Sequence, residues 1–191
     1  NAKEVSAGHP YIVKGHVKPK GARQHKDVLL VPMSETGVGE PACLQRIYSD
    51  GSKKFLYGMG AIPGPLIHVI AGSNESATAD PLYICEGWKT GLSIHEATGN
   101  SVVVAFSAAG LLPVSGIMRK KFPLREIVIA GDCGNGSDKA LEAAIAANCM
   151  VVIPTISPDD GTDFNDLHKS KGLLEVQRQL RLAQKLDPAL K

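Results

Sequence analysis

The sequence predicts an α/β fold in which a compact parallel sheet flanked by helices follows a small antiparallel β subdomain. Three observations carry that prediction. An Asp50-Gly51 pair between two strand-like runs is hairpin punctuation in the front of the chain. From residue 82 onward, short β-branched runs alternate with helical stretches, the pattern of a parallel sheet covered on both faces. A polar stretch at 72–80, GSNESATAD, separates the two patterns. The expected division is a basic N-terminal β subdomain over residues 1–72 and an α/β domain over 73–191.

Residues 1–26 are polar and basic, broken by Gly15, Pro19 and Gly21, and read as an irregular arm with at most one short helix. VLLVPM (28–33) reads as a strand, CLQRIY (43–48) as a second, and KKFLYG (53–58) as the return strand of the hairpin. GMGAIPGP (58–65) reads as a loop and LIHVI (66–70) as a further strand of the front unit. In the second part the strands are LYICE (82–86), SVVVAF (101–106), EIVIAG (126–131) and MVVIP (150–154). Helices fall between them at 88–99, 109–121 and about 138–148. A last helix is expected over about 172–186, because Leu173, Val176, Leu180 and Ala183 share one face. Trp88 is expected to pack at the start of its helix, with His95 structural or solvent-facing.

The 191 residues are enough to bury a core without disulfide or metal staples. Cys43, Cys85, Cys133 and Cys149 lie far apart with no CxxC or CxxH pair, so reduced thiols in a cytoplasmic protein are expected rather than a zinc site. No apolar run approaches the roughly 20 residues of a membrane helix. The chain begins at Asn1 without Met or a signal-peptide pattern, so a piece of a longer protein is expected. Charge is uneven: nine Lys/Arg against five Asp/Glu over 1–72 give +4, and twelve against fourteen over 73–191 give −2. That distribution points to an anionic partner on the front segment.

Ligands of open α/β sheets bind beyond the carboxyl ends of the strands. Carboxylates stand at three of the four predicted strand ends: Glu86, Asp132 and the 159–166 cluster that includes Asp163 and Asp166. Alone, Glu86 reads equally as a helix N-terminal carboxylate and Asp132 as a turn residue. Together they form a hard-oxygen set suited to Mg²⁺ or Mn²⁺, ions that also bind substrate phosphates. Gly134-Asn135-Gly136 is not a dinucleotide loop, since it follows the third strand and lacks the third glycine; no GxxxxGK[ST] occurs.

ICEG at 84–87, IVIAGD at 127–132 and TDFNDL at 162–167 resemble the three acidic motifs of the Toprim domain. CEGWKTGLSIHEATG (85–99) with the following VVVAF is most similar to the Toprim of primases and primase-helicases of plasmids, phages and integrated elements. HPYIVKGHVKPKG (9–21), VLLVPM and LQRIYSDGSKKFLYG (44–58) are similar to the segment that precedes it in those proteins. The resemblance covers about 9–185. It implies the catalytic core of a DNA primase, making short primers from NTPs on single-stranded DNA by metal-dependent nucleotidyl transfer. It also implies catalytic roles for Glu86 and Asp132, and Mg²⁺ or Mn²⁺ held by Glu86, Asp132, Asp163 and Asp166. The basic front would track the template phosphates, first through Arg46, Lys53 and Lys54, then Lys18, Lys20, Arg23 and Lys26. A helicase or zinc-binding domain elsewhere in a longer chain is the expected partner, with no membrane.

The chain departs from the family at one place. The second motif usually carries Asp-x-Asp, and here it reads Asp132-Cys133-Gly134. Asp138, one helical turn later, is the candidate substitute; otherwise the site is weakened, or binds one metal instead of two. Two other readings stay open. One is a degenerate Toprim that binds nucleic acid or a partner. The other is a Toprim nuclease or topoisomerase fragment, although Tyr11, Tyr48, Tyr57 and Tyr83 lack a catalytic context.

Overall fold

Two sheets meet across one core in the computed structural model, which describes residues 1–35, 37, 39–57, 64–73 and 80–187. The loop read over 58–65 and the linker read over 72–80 lie largely outside the described residues. The front sheet is an antiparallel meander of β1 (Arg23–His25), β2 (Val28–Met33), β3 (Cys43–Ile47) and β4 (Lys53–Tyr57), in that order. Its inner face is set by period-two alternation. Leu29, Val31 and Met33 of β2 and Cys43, Gln45 and Ile47 of β3 are buried, and the residues between them are half-exposed. The β3–β4 connection is the expected Asp-Gly turn. Gly51 sits at φ +90°, its N–H donates to the Tyr48 carbonyl at 2.9 Å, and Asp50 Oδ1 accepts the Ser52 N–H at 2.8 Å.

The second sheet has six strands in the order β10-β9-β8-β6-β7-β5. The four expected strands, β6 (Leu82–Cys85), β7 (Val102–Val104), β8 (Ile127–Ala130) and β9 (Met150–Val152), are mutually parallel. Antiparallel edges complete it. β5 (His68–Ile70) pairs with β7, and β10 (Gln184–Lys185) pairs with β9. The strand read at 66–70 thus closes the second sheet rather than the first, and the boundary drawn at 72/73 falls two residues after it.

Continuous apolar runs make these central strands because both faces are covered. Tyr83, Cys85, Val102, Val104, Val128 and Ala130 point into one core, and Ile84, Val103, Ile127 and Ile129 into the other. Each Val and Ile among them contributes on the order of 1.5–3 kcal/mol by leaving water. Helices α3 (Ala108–Lys121) and α4 (Ser137–Ala147) cover the second core through Leu111, Val114, Ala140 and Ala144. The first core lies under α2 (Trp88–Thr98), α5 (Phe164–Lys171) and α6 (Leu173–Leu180). That core continues into the front segment, through Leu29, Val31 and Ile47 of the meander and Tyr11 and Ile12 of the short α1 (Pro10–Gly15).

The helix expected over 172–186 is corrected to a shorter one, α6, followed by the edge strand β10, and α5 before it is a helix outside the expected set. Gly172, at φ +83°, ends α5 and stands before α6, which stops at Leu180. The arm over 1–26 holds the one short helix allowed for it, α1, and in addition the strand β1.

The topology places the site. The β6–α2–β7 unit travels one way along the sheet with its helix on one face. The β7–α3–β8 and β8–α4–β9 units travel the other way with helices on the opposite face. The switch point lies between the carboxyl ends of β6 and β8, where the sheet opens a crevice. Glu86 follows β6 and Asp132 follows β8.

Candidate active site

A cleft of about 350 Å³ lies over that switch point, between the sheet rim and the front meander. It is lined by the carboxylates Glu86, Asp132 and Asp163 and the cations Lys14, Lys53 and Lys89, together with Tyr11, Thr90 and Phe106. Three strand ends and an element of the front segment therefore converge on one space.

Two carboxylates there are short of partners. Glu86 Oε1 and Asp132 Oδ1 are buried with no hydrogen bond. Burial pushes the Asp132 carboxyl up to about 7, with Glu86, Asp163 and Asp166 adding repulsion and Lys53 opposing them. Glu86 is raised too, by burial and then by Asp163. Buried polar atoms without partners are uncommon, and two carboxylate oxygens in one cleft call for a cation or a donor from a ligand. The loop after β8 presses against the pair, because a Cβ on Gly136 would lie 2.7 Å from Glu86 Oε1 and 3.4 Å from the Asp132 Cβ. The loop is pinned by Cys133, whose N–H donates to the Thr162 carbonyl and whose thiol donates to the Pro154 carbonyl, each at 2.8 Å.

Asp163 and Asp166 are engaged. Asp163 caps α5: its Oδ1 accepts the N–H groups of Asn165 at 2.7 Å and Asp166 at 2.8 Å, and its Oδ2 accepts the Thr90 hydroxyl at 3.0 Å. Asp166 is not part of the cleft lining. Its Oδ2 accepts the Thr162 N–H at 3.0 Å and its Oδ1 pairs with Lys169 at 2.7 Å. Burial would raise Asp166, but Lys169 and the Thr162 N–H outweigh it and hold the carboxyl below its ordinary range. Among the described residues no three His, Cys, Asp or Glu groups are arranged to hold an ion by themselves. The donor set suits an ion that takes two carboxylates and completes its shell from phosphate and water, as Mg²⁺ does. Asp138 is exposed in the first turn of α4, and Gly134 lies ahead of it at φ +81° with open space where a Cβ would stand.

The seven basic candidates do not share one surface. Lys53 lines the cleft, its Nζ 6.0 Å from the Tyr11 ring. Lys54 alternates to the outer face of the meander, where the register aligns Arg23, Leu30, Arg46 and Lys54 in one row across the four strands. Lys18 is exposed beside α2, its backbone N–H donating to Glu96 Oε1. Lys20 Nζ donates to the Ala71 carbonyl at 2.7 Å and lies 3.0 Å from His95 Nε2. Lys26 turns the chain from β1 to β2 at φ +53°.

The sequence reading missed Lys14, Lys89, Tyr11 and Thr90. Lys89 had a usable signal, since it stands three residues after Glu86 in the first turn of α2; burial lowers its ammonium and Asp163 partly offsets that. Its Nζ lies 5.2 Å from the Tyr11 ring, and burial followed by Asp163 pushes the Tyr11 hydroxyl up. Nothing in the local sequence marks Tyr11 or Lys14 as cleft residues.

Comparison with known proteins agrees with this architecture. Residues 81–173 match the family model described as Toprim domain. A curated relative, DNA primase TraC of Escherichia coli, is 29% identical over 163 residues, spanning 76% of this chain and 15% of that protein. The chain is thus similar to a small part of that relative's length. Among solved structures, the primase fragment of the bacteriophage T7 primase-helicase protein superposes with a TM-score of 0.60 at 15% identity, covering 83% of this chain and 66% of that one. The DnaG primase catalytic domain bound to ssDNA superposes with a TM-score of 0.59 at 13% identity, covering 94% and 61%. At such identities these likenesses speak for the fold.

Proposed function

From a chain whose residues 81–173 are a Toprim domain, we propose the catalytic core of a DNA primase, one that joins nucleotides on a single-stranded DNA template by divalent-metal-dependent nucleotidyl transfer. The observation that carries the proposal is that Glu86 and Asp132, each with one buried, unpartnered oxygen, line one cleft together with Lys14, Lys53 and Lys89. In the reaction a 3′-hydroxyl attacks the α-phosphorus of an NTP and pyrophosphate leaves.

Glu86 and Asp132 would hold Mg²⁺ or Mn²⁺, which when bound lowers the pKa of the attacking hydroxyl and offsets charge on the leaving group. Asp163 stands at the third corner, oriented by Thr90 and by the N-terminus of α5. Asp166 braces the 161–166 turn through Thr162 and Lys169. The three lysines bind the triphosphate charge that two carboxylates would otherwise repel. Template phosphates would run along the front segment, with Arg23, Arg46 and Lys54 on the outer row as the first contacts. A helicase or zinc-binding domain in a longer chain is part of this reading, and the helicase fits the T7 likeness.

A second reading is a Toprim-based binding module, favoured by Gly134 standing where the family carries its second aspartate. Primer synthesis on single-stranded DNA with NTPs and Mg²⁺ or Mn²⁺ separates the two. The primase reading expects labelled oligonucleotides from the native protein and none from Glu86→Gln, with both equally folded by circular dichroism. Template binding without any product from the native protein would leave the binding module.

A further inference from the structure

We infer that Phe106 and Phe55 form the stacking wall for the base of the incoming nucleoside triphosphate; the inference rests on the reading of the cleft as a nucleotidyl-transfer site. Phe106 lines the cleft at the carboxyl end of β7, in the left-handed region at φ +63°. A bulky residue seldom adopts that conformation, which glycine or asparagine takes at lower cost. The backbone around it is fixed from both sides. The Ala105 N–H donates to the Cys85 carbonyl at 2.8 Å, and the Ser107 hydroxyl caps α3 by accepting the Gly110 N–H at 3.1 Å. A sharp strand-to-helix turn is therefore built at this point, and its strained position holds a ring.

Phe55 meets that ring from the front sheet. The two centroids are 6.4 Å apart with planes at 82°, an edge-to-face pair in which the front sheet meets the ring that lines the cleft. Phe55 is 41% exposed, and as the second residue after Lys53 on β4 it projects on the same side of the strand as that cleft lysine. Burying neither ring fully, beside three cations and three carboxylates, is a poor use of aromatic surface for packing. It is the complement of a ligand with phosphates at one end and a π-face at the other.

Tyr11 does not serve this role, since its ring is buried and carries Lys53 and Lys89 over it. The wall also lies on the cleft side of the front sheet, opposite the Arg23–Arg46–Lys54 row, which assigns it to the incoming nucleotide rather than to the template. Stacking tolerates any base, so all four NTPs should use the wall.

The test measures binding of ATP, inorganic tripolyphosphate and an oligo(dT) strand to the native protein in Mn²⁺, and to Phe106→Leu, Phe55→Leu and Phe106→Trp. Either leucine variant should weaken ATP by about tenfold. Tripolyphosphate and oligo(dT) should bind as before, and Phe106→Trp should retain ATP. Phe55→Leu changes an exposed ring and so guards against misfolding of the Phe106 variant. Equal weakening of ATP and tripolyphosphate, or loss of oligo(dT) binding with ATP unchanged, overturns the assignment. Native protein that binds neither ATP nor tripolyphosphate overturns the nucleotidyl-transfer reading itself.

Discussion

Gly136 is the floor against which Glu86 lies: a Cβ there would stand 2.7 Å from Glu86 Oε1. Its backbone, at φ −83° and ψ −23°, is ordinary for alanine, so conformation does not demand glycine. Gly136→Ala should therefore fold, with stability altered by no more than about 1 kcal/mol. The methyl group displaces the Glu86 carboxylate, and primer synthesis should drop by tenfold or more. Thermal melts and primer yields on the same preparation check the separation. Unchanged yield would mean that the position of Glu86 does not limit the reaction.

Asp132 gives the protein a pH dependence with a definite sign. Its carboxyl is raised from 3.8 to about 7 by burial and by its acidic neighbours. Between those values the folded state keeps a proton that the unfolded chain has released, so stability falls as pH rises through the window and levels off above it. The loss amounts to up to roughly 4 kcal/mol. Melting in EDTA from pH 4 to pH 8 should show a decline that Asp132→Asn largely removes; Glu86, raised in the same direction, supplies the remainder. Divalent ions compete with that proton, so the Mn²⁺-induced rise in Tm should grow from pH 6 to pH 8. A native protein and an Asp132→Asn variant with parallel pH profiles would show that the carboxyl is not the source.

The parallel core of the fold was legible because β6, β7 and β8 are apolar on both faces, a pattern local to each strand. The edges were not. His68–Ile70 reads as a strand in isolation, but its pairing with β7 is a tertiary choice, and the two-residue β10 has no local signature. TDFNDL was read for its carboxylates, and the same residues are a helix start: Asp163 is an N-cap whose oxygen takes the Asn165 and Asp166 N–H groups. Reading them for metal alone leaves α5 out of the expected helices. Glu86 and Asp132 were found at strand ends, which topology makes adjacent. Lys14 and Tyr11 are far from them in sequence, and only the packing of α1 against α5 brings them to the cleft.

Asn165 is the residue of that motif with a structural role. It is fully buried and donates from Nδ2 to the Gly15 carbonyl at 2.7 Å and to the Ser93 hydroxyl at 2.9 Å, joining α5 to α1 and α2. Asn165→Ala leaves both acceptors without that donor and should cost about 2–3 kcal/mol. Because α1 carries Tyr11 and Lys14, the variant should also raise the KM for NTP at temperatures where it remains folded. Urea unfolding gives the first quantity and steady-state kinetics the second.

Lys53 and Lys54 are neighbours in sequence that serve opposite faces, so charge reversal should separate them. Lys53→Glu places a carboxylate in the cleft and should weaken NTP binding with little effect on template affinity. Lys54→Glu acts on the outer row with Arg23 and Arg46. It should weaken single-stranded DNA and reduce the salt dependence by about one phosphate contact, roughly 0.7 in the log–log slope. Titrations of a labelled oligonucleotide at several salt concentrations resolve the two. Identical effects of both reversals on both ligands would refute the division of faces.

Gly134→Asp tests whether the departure from Asp-x-Asp limits the site. The position tolerates a side chain, since no atom lies within 4 Å of where its Cβ would stand. The turn itself is held by the Ser137 hydroxyl, which donates to the Gly134 carbonyl at 2.7 Å. The cost is conformational. Gly134 has φ +81°, and aspartate accepts the left-handed region better than most residues, at about 1 kcal/mol. Without divalent ions the variant should accordingly melt a few degrees lower. With Mn²⁺ the order should reverse, because a carboxylate two residues after Asp132 adds a ligand to a site where Glu86 and Asp132 each keep an unpartnered oxygen. A tenfold gain in affinity adds about 1.4 kcal/mol of stabilisation at saturating ion. Mn²⁺ should exceed Mg²⁺ in both proteins, in keeping with its higher place in the affinity order. A larger Mn²⁺-induced shift in the variant, with higher primer yield, would identify Gly134 as the weak point of a working metal site. No response to either ion in the native chain or the variant would remove the metal-dependent reading and leave a Toprim that binds nucleic acid without joining it.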